Sequence, residues 1–136
     1  KSIDRKKLGE IVFNYHVILY KLNSITHPII IKEIKNQIKK IIIKCGNKSK
    51  IIIDAPLLLE TKTKNLVDKI IVVKCSLKNI IKRNKKYPKE KIEKILNQQM
   101  PLDKKLKYAD FVIDNNKDLK YLEKQVEKII KKLNKK

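Results

Sequence analysis

The stretch that decides the fold is QQMPLDKKLKYADFVIDNN, residues 98–116, and its pattern is shared by IIIDAPLLLE, residues 51–60. In each stretch a short, mostly β-branched apolar run ends abruptly in polar residues. Such runs are typical of strands buried on both faces of a parallel sheet. Polar residues at the carboxyl ends of parallel strands commonly form a binding site. The pattern therefore predicts an α/β protein with a site at this edge of its sheet.

Composition argues against a dedicated nucleic-acid binder, although the 136-residue chain carries a net charge of +21. Its basic residues are almost all lysine, the exceptions being Arg5 and Arg83. A reader of bases or phosphates is usually richer in arginine, whose planar fork binds both in two-point contact. We expect solvated lysines and no specific nucleic-acid partner, with weak binding at low salt from charge alone. A basic protein that binds nucleic acid or an acidic partner remains the alternative from another class.

The sequence also disfavours a membrane protein and a protein whose cysteines serve a metal or redox function. No apolar run approaches the ~18–20 residues of a membrane span, and no signal peptide opens the chain, so we expect a cytoplasmic protein without a membrane partner. Cys45 and Cys75 stand 30 positions apart, with no C-x-x-C motif and no histidine cluster. They predict reduced thiols and no protein-held metal site.

Alternating helices and strands predict a short parallel sheet flanked by helices. Three strands are expected near Ile51–Asp54, Lys69–Lys74 and Phe111–Ile113. Because the residue before a proline avoids the α region, Thr26-His27-Pro28 should break the helical pattern. A first helix is predicted to begin at a cap formed by Asp4 or Ser2. Further helices are predicted over Val17–Leu22, Ile29–Lys44, Leu77–Lys86, Pro88–Gln99 and Leu102–Lys107, and a final one from the Asp118 cap to Leu133.

Four positions could carry chemistry. Asp54 ends a predicted strand, where a carboxylate can hold a magnesium-bound water or accept a proton. Arg83 lies on a helical hairpin between two strands, where a guanidinium can clamp phosphoryl oxygens. His27 precedes a proline, and Asn115 follows the last predicted strand. Each also has a structural reading: a cap for Asp54, a surface side chain for Arg83, a packing residue for His27 and a turn former for Asn115.

Taken together and in order, the motifs resemble those of the dephospho-CoA kinases. The similar segments cover nearly the whole chain, and ordered motifs are far more specific than any single one. They are IDRKKL with IVF (3–8 and 11–13), LNSITHP (22–28), DAPLLLE (54–60), KR (82–83), and QMPLDKK with ADFVIDN (99–105 and 109–115). Another small-molecule P-loop kinase is the second alternative, which the last segment disfavours.

The resemblance implies a partial P-loop kinase-like three-layer fold. It also implies an activity, the Mg²⁺-dependent transfer of the γ-phosphoryl group of ATP to the ribose 3′-hydroxyl of dephospho-CoA. It implies one truncated kinase domain with a helical substrate-binding region (1–45), a core (50–76 and 108–136) and a lid with the helices after it (77–107). Arg83 would contact the phosphates and Asn115 the adenine side. The remaining implied roles are catalysis or magnesium binding for Asp54 and acceptor binding for Arg5, His27, Pro56, Leu57, Leu58 and Glu60.

The sequence also departs from the resembled pattern. Neither Gly9 nor Gly46 belongs to a G-x-x-x-x-G-K-[ST] phosphate loop. The resemblance implies that this loop, its central strand and the presumed base belong to a segment before Lys1. We therefore expect no phosphoryl transfer by the 136-residue chain alone.

Overall fold

The structure is a computed structural model that describes residues 3–135. It divides into two compact units, one ending at Leu66 and the other beginning at Val67. Its regular elements are α1 (Arg5–Asn14), α2 (His16–Cys45), two 3₁₀-helices (Leu58–Glu60 and Lys62–Leu66), β1 (Ile71–Lys74), α3 (Leu77–Arg83), α4 (Lys89–Asn97), α5 (Leu102–Leu106), β2 (Phe111–Asp114) and α6 (Leu119–Asn134). Among the described residues, no helix combines the length and the apolar character that a membrane crossing needs.

The first unit begins with α1, which packs against α2. The Asp4 carboxylate caps α1 by accepting the backbone N–H groups of Lys6 and Lys7 at 3.0 and 3.1 Å. These are two of the donors that a helix start leaves without partners. Val12 of α1 is buried and fixes the packing of this short helix. The predicted Asp4 cap is therefore confirmed, whereas Ser2 lies outside the described residues.

The break predicted at Thr26-His27-Pro28 is wrong, because α2 continues through Pro28 for 30 residues. Proline removes only one i→i−4 hydrogen bond, while the ladder on either side remains. Side-chain hydroxyls add bonds here: Ser24 Oγ donates to the Lys21 carbonyl at 2.8 Å, and Thr26 Oγ1 donates to the Leu22 carbonyl at 2.9 Å. Packing of α2 on the second 3₁₀-helix also supports the helix. It ends as predicted before Gly46, whose φ of +86° favours glycine.

The strand predicted at Ile51–Asp54 does not form within the described part of the chain. Among residues 3–135 no strand lies beside this segment to complete a ladder, and Ile52 is 92% exposed. A strand needs a neighbour for its N–H and C=O groups, so an apolar sequence alone is not enough. The segment leads into the two 3₁₀-helices, where Leu59 and Thr63 are buried.

The second unit contains the parallel sheet that the sequence predicts. β1 pairs with β2 in register, with Ile71 opposite Phe111 and Lys74 opposite Asp114. Three helices, α3 to α5, connect the two strands, as a parallel crossover requires. The core of this unit contains one buried residue from each of β1, α4, β2 and α6, namely Val72, Ile92, Ile113 and Ile129. This arrangement brings the carboxyl ends of both strands to one edge.

Candidate functional site

A hydrogen-bonded loop follows β2 and forms the first candidate site. Asp114 Oδ1 accepts from both the backbone N–H and the Nδ2 amide of Asn116, at 2.9 and 2.7 Å. Asn116 Oδ1 in turn accepts the Ser76 N–H at 2.8 Å and Asn79 Nδ2 at 3.2 Å. Gln125 of α6 accepts the Asp114 backbone N–H through Oε1 and donates to the Asp114 carbonyl through Nε2, each at 2.9 Å. The loop is therefore fixed to the end of β1, the start of α3 and the side of α6.

Arg83, the last residue of α3, is bonded to this loop. Its Nη1 donates to the backbone carbonyl and the Oδ1 atom of Asn115, at 2.7 and 3.0 Å, and its Nη2 donates to the Lys117 carbonyl at 3.0 Å. Nη1 also lies 3.8 Å from the sulfur of Cys75. The structure thus brings together Arg83 and Asn115, the two residues that the resemblance assigns to the nucleotide. Within residues 3–135 the Nε N–H has no acceptor, so a further acceptor can still bind the guanidinium.

The orientation of the Asn115 amide follows from the same contact. A guanidinium can only donate hydrogen bonds, so it is the oxygen of the amide that faces Arg83. The Nδ2 group consequently points away from Arg83, and within the described residues it has no acceptor. The Asn115 backbone is fixed separately, because its N–H donates to the Lys74 carbonyl at 2.9 Å. Asn115 therefore offers a firmly placed donor to a ligand.

An open cleft of about 530 Å³ lies beside these groups. Three of the residues that line it are cations, and none is a carboxylate; they are Cys75, Ile80, Arg83, Asn84, Lys85, Lys86 and Asn115. Cations without carboxylates attract an anion, and a guanidinium with an amide can bind planar polar groups. The chemistry of the cleft fits a phosphorylated ligand with a planar base.

Two carboxylates beside the sheet are held ionised by their neighbours. Hydrogen bonds from the Lys69 ammonium, 2.7 Å away, and from the Ile70 N–H lower the pKa of Asp110 below its ordinary value. Hydrogen bonds from the Asn116 side chain and backbone, followed by Lys74, lower the pKa of Asp114 in the same way. Both carboxylates are committed to structural contacts, Asp110 at the start of β2 and Asp114 at its end.

A second cleft, of about 680 Å³, lies in the first unit. It brings His27 of α2 together with Glu60 of the first 3₁₀-helix, two residues to which the family resemblance gives a substrate-binding role. The other lining residues come from α2 and from the two 3₁₀-helices with the residue between them, and they are mostly polar; they are Tyr20, Asn23, Ser24, Pro28, Ile31, Leu59, Thr61, Lys62, Lys64 and Asn65. The mixture of an aromatic ring, amides and ammonium groups suits a polar organic ligand of substrate size.

The other predicted substrate residues do not line this cleft. Arg5 is exposed at the start of α1, and Pro56 is exposed before the first 3₁₀-helix. Leu57 and Leu58 are half-buried beside the buried Leu59, which gives them a packing role in this structure. Asp54 is exposed, and no hydrogen bond or ion pair engages its carboxylate within the described part of the chain.

Several residues of the two clefts were not predicted. Tyr20 and Asn23 stand seven and four positions before His27, a spacing that places them on one helix face. This spacing could have identified them, but the predicted helix break at Thr26-His27-Pro28 separated them from His27. Lys62, Lys64, Lys85 and Lys86 carried no usable signal, because lysine is abundant throughout the sequence. Within residues 3–135, no three His, Cys, Asp or Glu side chains lie together in a group that could hold a metal ion.

Comparison with known proteins agrees with the sequence motifs. The family model for dephospho-CoA kinase matches residues 2–121, a range that includes both clefts. A dephospho-CoA kinase of Carboxydothermus hydrogenoformans is 42% identical over 135 residues, covering 96% of this chain and 64% of that protein. One of Bdellovibrio bacteriovorus is 36% identical over 132 residues, covering 96% of this chain and 65% of that protein. The chain thus spans slightly less than two thirds of these relatives.

Solved structures give the same result. The structure of dephospho-CoA kinase from Campylobacter jejuni has a TM-score of 0.63 and 34% identity, over 99% of this chain and 67% of that one. TT1252 from Thermus thermophilus has a TM-score of 0.70 at 20% identity, over 96% of this chain and 68% of that one, which supports the fold alone. The α/β fold with a short parallel sheet is confirmed, and the chain belongs to the dephospho-CoA kinase family.

Proposed function

We propose that the chain is part of an enzyme that transfers the γ-phosphoryl group of ATP to the ribose 3′-hydroxyl of dephospho-CoA, the last step of coenzyme A biosynthesis. The observation that carries the proposal is the family match over residues 2–121, because it runs through both clefts in one alignment. We further propose that the two compact units belong to one kinase domain that works in the cytoplasm, with ATP and dephospho-CoA as its ligands and no specific nucleic-acid partner.

On the nucleotide side, the proposed roles of Arg83 and Asn115 agree with the geometry of the second unit. The Nδ2 amide of Asn115 can donate to a ring nitrogen of adenine, while its carbonyl and Oδ1 hold Arg83. The unused N–H groups of Arg83 can then donate to phosphoryl oxygens without releasing the loop. Phosphoryl transfer depends mainly on positioning and on neutralising charge, and an arginine fixed in this way supplies both.

On the acceptor side, His27 and Glu60 are the proposed contacts to dephospho-CoA, because they share the cleft of the first unit. Leu57 and Leu58 would support this wall by packing beside Leu59, and Pro56 would fix the turn before it. Arg5 stays a proposed contact from the start of α1, with an exposed guanidinium. The ammonium groups of Lys62 and Lys64 give the same cleft a charge that suits a diphosphate.

Mg²⁺ is the proposed metal, and it would arrive bound to ATP. Mg²⁺ prefers carboxylate, phosphate and water oxygens and usually needs only one or two protein carboxylates. Asp54 fits this requirement, since its exposed carboxylate has no competing partner within the described residues. When bound, the ion would neutralise phosphate charge. The residues of the chain would meanwhile orient the two substrates.

The proposal is tested by calorimetric titration of the 136-residue chain with dephospho-CoA at about 150 mM salt, where surface charge is screened. We expect saturable binding that His27→Ala weakens by about tenfold, as for a lost polar contact of ~1.4 kcal/mol. Gln37→Ala, on the exposed part of the same helix, is the matched control and should bind as the wild type does. Without a phosphate loop, we expect no ATP-dependent conversion of dephospho-CoA by this chain.

The alternative of a basic binding protein gives a different result. Such a protein would bind arbitrary DNA or RNA in preference to dephospho-CoA, with an affinity that falls steeply as salt rises. Absence of saturable dephospho-CoA binding at any salt concentration would overturn the proposed function.

A further inference from the structure

The turn between α3 and α4 holds its residues in a defined conformation. The side-chain oxygen of Asn84 accepts the backbone N–H of Lys86 at 3.1 Å and that of Tyr87 at 3.3 Å. An asparagine that bonds the backbone two residues ahead of itself fixes the chain much as a backbone turn does. Pro88 then restricts the backbone at the start of α4. The direction in which Lys86 leaves the chain is therefore set locally.

Tyr87 lies under two ammonium groups. Lys86 Nζ is 5.4 Å and Lys91 Nζ is 4.5 Å from the centre of its ring. The ring is half-buried and gives the lysines a fixed platform. Within the described residues neither lysine forms an ion pair, so two like charges are gathered at one ring without a carboxylate between them. This arrangement costs electrostatic repulsion, which a bound anion would remove.

Lys86 also lines the cleft that contains Arg83 and Asn115. It stands there with Lys85 and Arg83, and no carboxylate lines the same cleft. A single anionic group would leave part of this positive charge unmatched, whereas a chain of phosphates can meet several cations at once. The ligand chemistry that fits is a polyphosphate.

We propose that Lys86 is a phosphate-binding residue of this cleft, and that Tyr87 is a positioning residue which holds its ammonium group through a cation–π contact. The inference rests on the proposed function, because it takes the polyphosphate to be that of ATP. Asn84 contributes by fixing the turn on which both residues stand. Lys91 stabilises the same ring from α4 and adds to the positive charge around it.

The first test titrates the 136-residue chain with inorganic tripolyphosphate at about 150 mM salt. Lys86→Ala should weaken binding by about tenfold, the loss expected for one charge-assisted contact. The matched control is Lys89→Ala, which removes the same charge from the same turn region. Lys89 pairs with Glu93 at 3.8 Å and does not line the cleft, so its loss should change the affinity by less than about twofold.

The second test separates positioning from general packing. Tyr87→Leu keeps an apolar side chain but loses the aromatic face, and should weaken tripolyphosphate binding by about two- to fivefold. Tyr87→Phe keeps the ring and should restore wild-type affinity. The NMR signals of the Lys86 side chain provide an independent readout. Their ring-current shift should disappear in Tyr87→Leu and persist in Tyr87→Phe.

The outcomes are distinct. Equal losses for Lys86→Ala and Lys89→Ala would mean that binding follows net charge, and would overturn the inference. So would unchanged affinity in Lys86→Ala, failure of Tyr87→Phe to rescue, or absence of tripolyphosphate binding by the wild type. The proposed function is judged separately by dephospho-CoA binding to the first unit. Retained dephospho-CoA binding with any of these results would reject the inference alone.

Discussion

Residues 51–54 (IIID) and residues 111–114 (FVID) both end in Ile-Asp, yet only the second segment is a strand. Ile113 is 7% exposed, whereas Ile52 is 92% exposed. The difference lies in their neighbours: β2 pairs with β1 and is held at its end by Gln125, while the first segment has no strand beside it within the described residues. An apolar run becomes a buried strand only where another element completes its hydrogen bonds and covers its face.

The same comparison extends to the polar ends of the two segments. Asp114 is bound by Asn116 and Lys74, and the loop after it carries the contacts of Arg83. Asp54 is exposed, and within the described residues no hydrogen bond or ion pair engages its carboxylate. One carboxylate is therefore held by the contacts that build a loop, and the other has none of these contacts. Three experiments test this contrast, in order of decreasing effect.

The largest difference is expected between Ile113→Ala and Ile52→Ala, two substitutions that remove the same atoms. Ile113→Ala leaves a cavity in the core of the second unit and should cost about 2–5 kcal/mol of stability. Ile52→Ala changes an exposed side chain and should stay within about 0.5 kcal/mol. Both stability changes are measured by urea unfolding. The NMR signals of β1 and β2 report on Ile113→Ala, and those of α1 and α2 report on Ile52→Ala. A large cost at Ile52 would show that a partner covers the first segment.

A smaller effect is expected from the loop after β2. Asn116→Ala removes the acceptor for the Ser76 N–H and for Asn79, so it should cost about 1–3 kcal/mol of stability. Asn47→Ala, at the exposed turn after α2, is the control and should stay within about 0.5 kcal/mol. The measurement is again the urea midpoint for the unit concerned. Equal values for the two variants would mean that the loop network adds no stability.

The smallest effect is a pH dependence. The folded pKa of Asp114 is lowered, so its stabilisation is fully present above the unfolded pKa of about 4 and is lost as the pH falls through the folded value. Asp114→Asn should therefore show a smaller difference in urea midpoint between about pH 6 and pH 3 than the wild type does. Equal acid dependence of Asp114→Asn and the wild type would contradict the assignment.

Much of the fold and part of the site could be predicted from local signals. Asp118 accepts the Tyr121 N–H at 2.7 Å and caps α6 as expected, and β1 and β2 lie where their apolar runs stand. The family resemblance assigned Arg83 and Asn115 to the nucleotide; the structure places them in hydrogen-bonding contact, and their roles stay predictions. The prediction of a helix break at Pro28 was wrong, because the hydrogen bond that proline removes costs less than the remaining hydrogen bonds and packing contacts of the long helix contribute. That error concealed Tyr20 as a neighbour of His27 in the first cleft.

The sequence by itself determined the features that depend on nearby residues: caps, helix ends, the parallel crossover and the ordered motifs of the family. The caps and helix ends rest on hydrogen bonds and periodicity within a few residues, and the crossover and the motifs rest on the order of such segments along the chain. Only the tertiary structure decided which apolar runs became strands and that Arg83 would bind the carbonyls of Asn115 and Lys117. These contacts join residues distant in the sequence, so their formation depends on packing and on complementary charge, which no local pattern encodes.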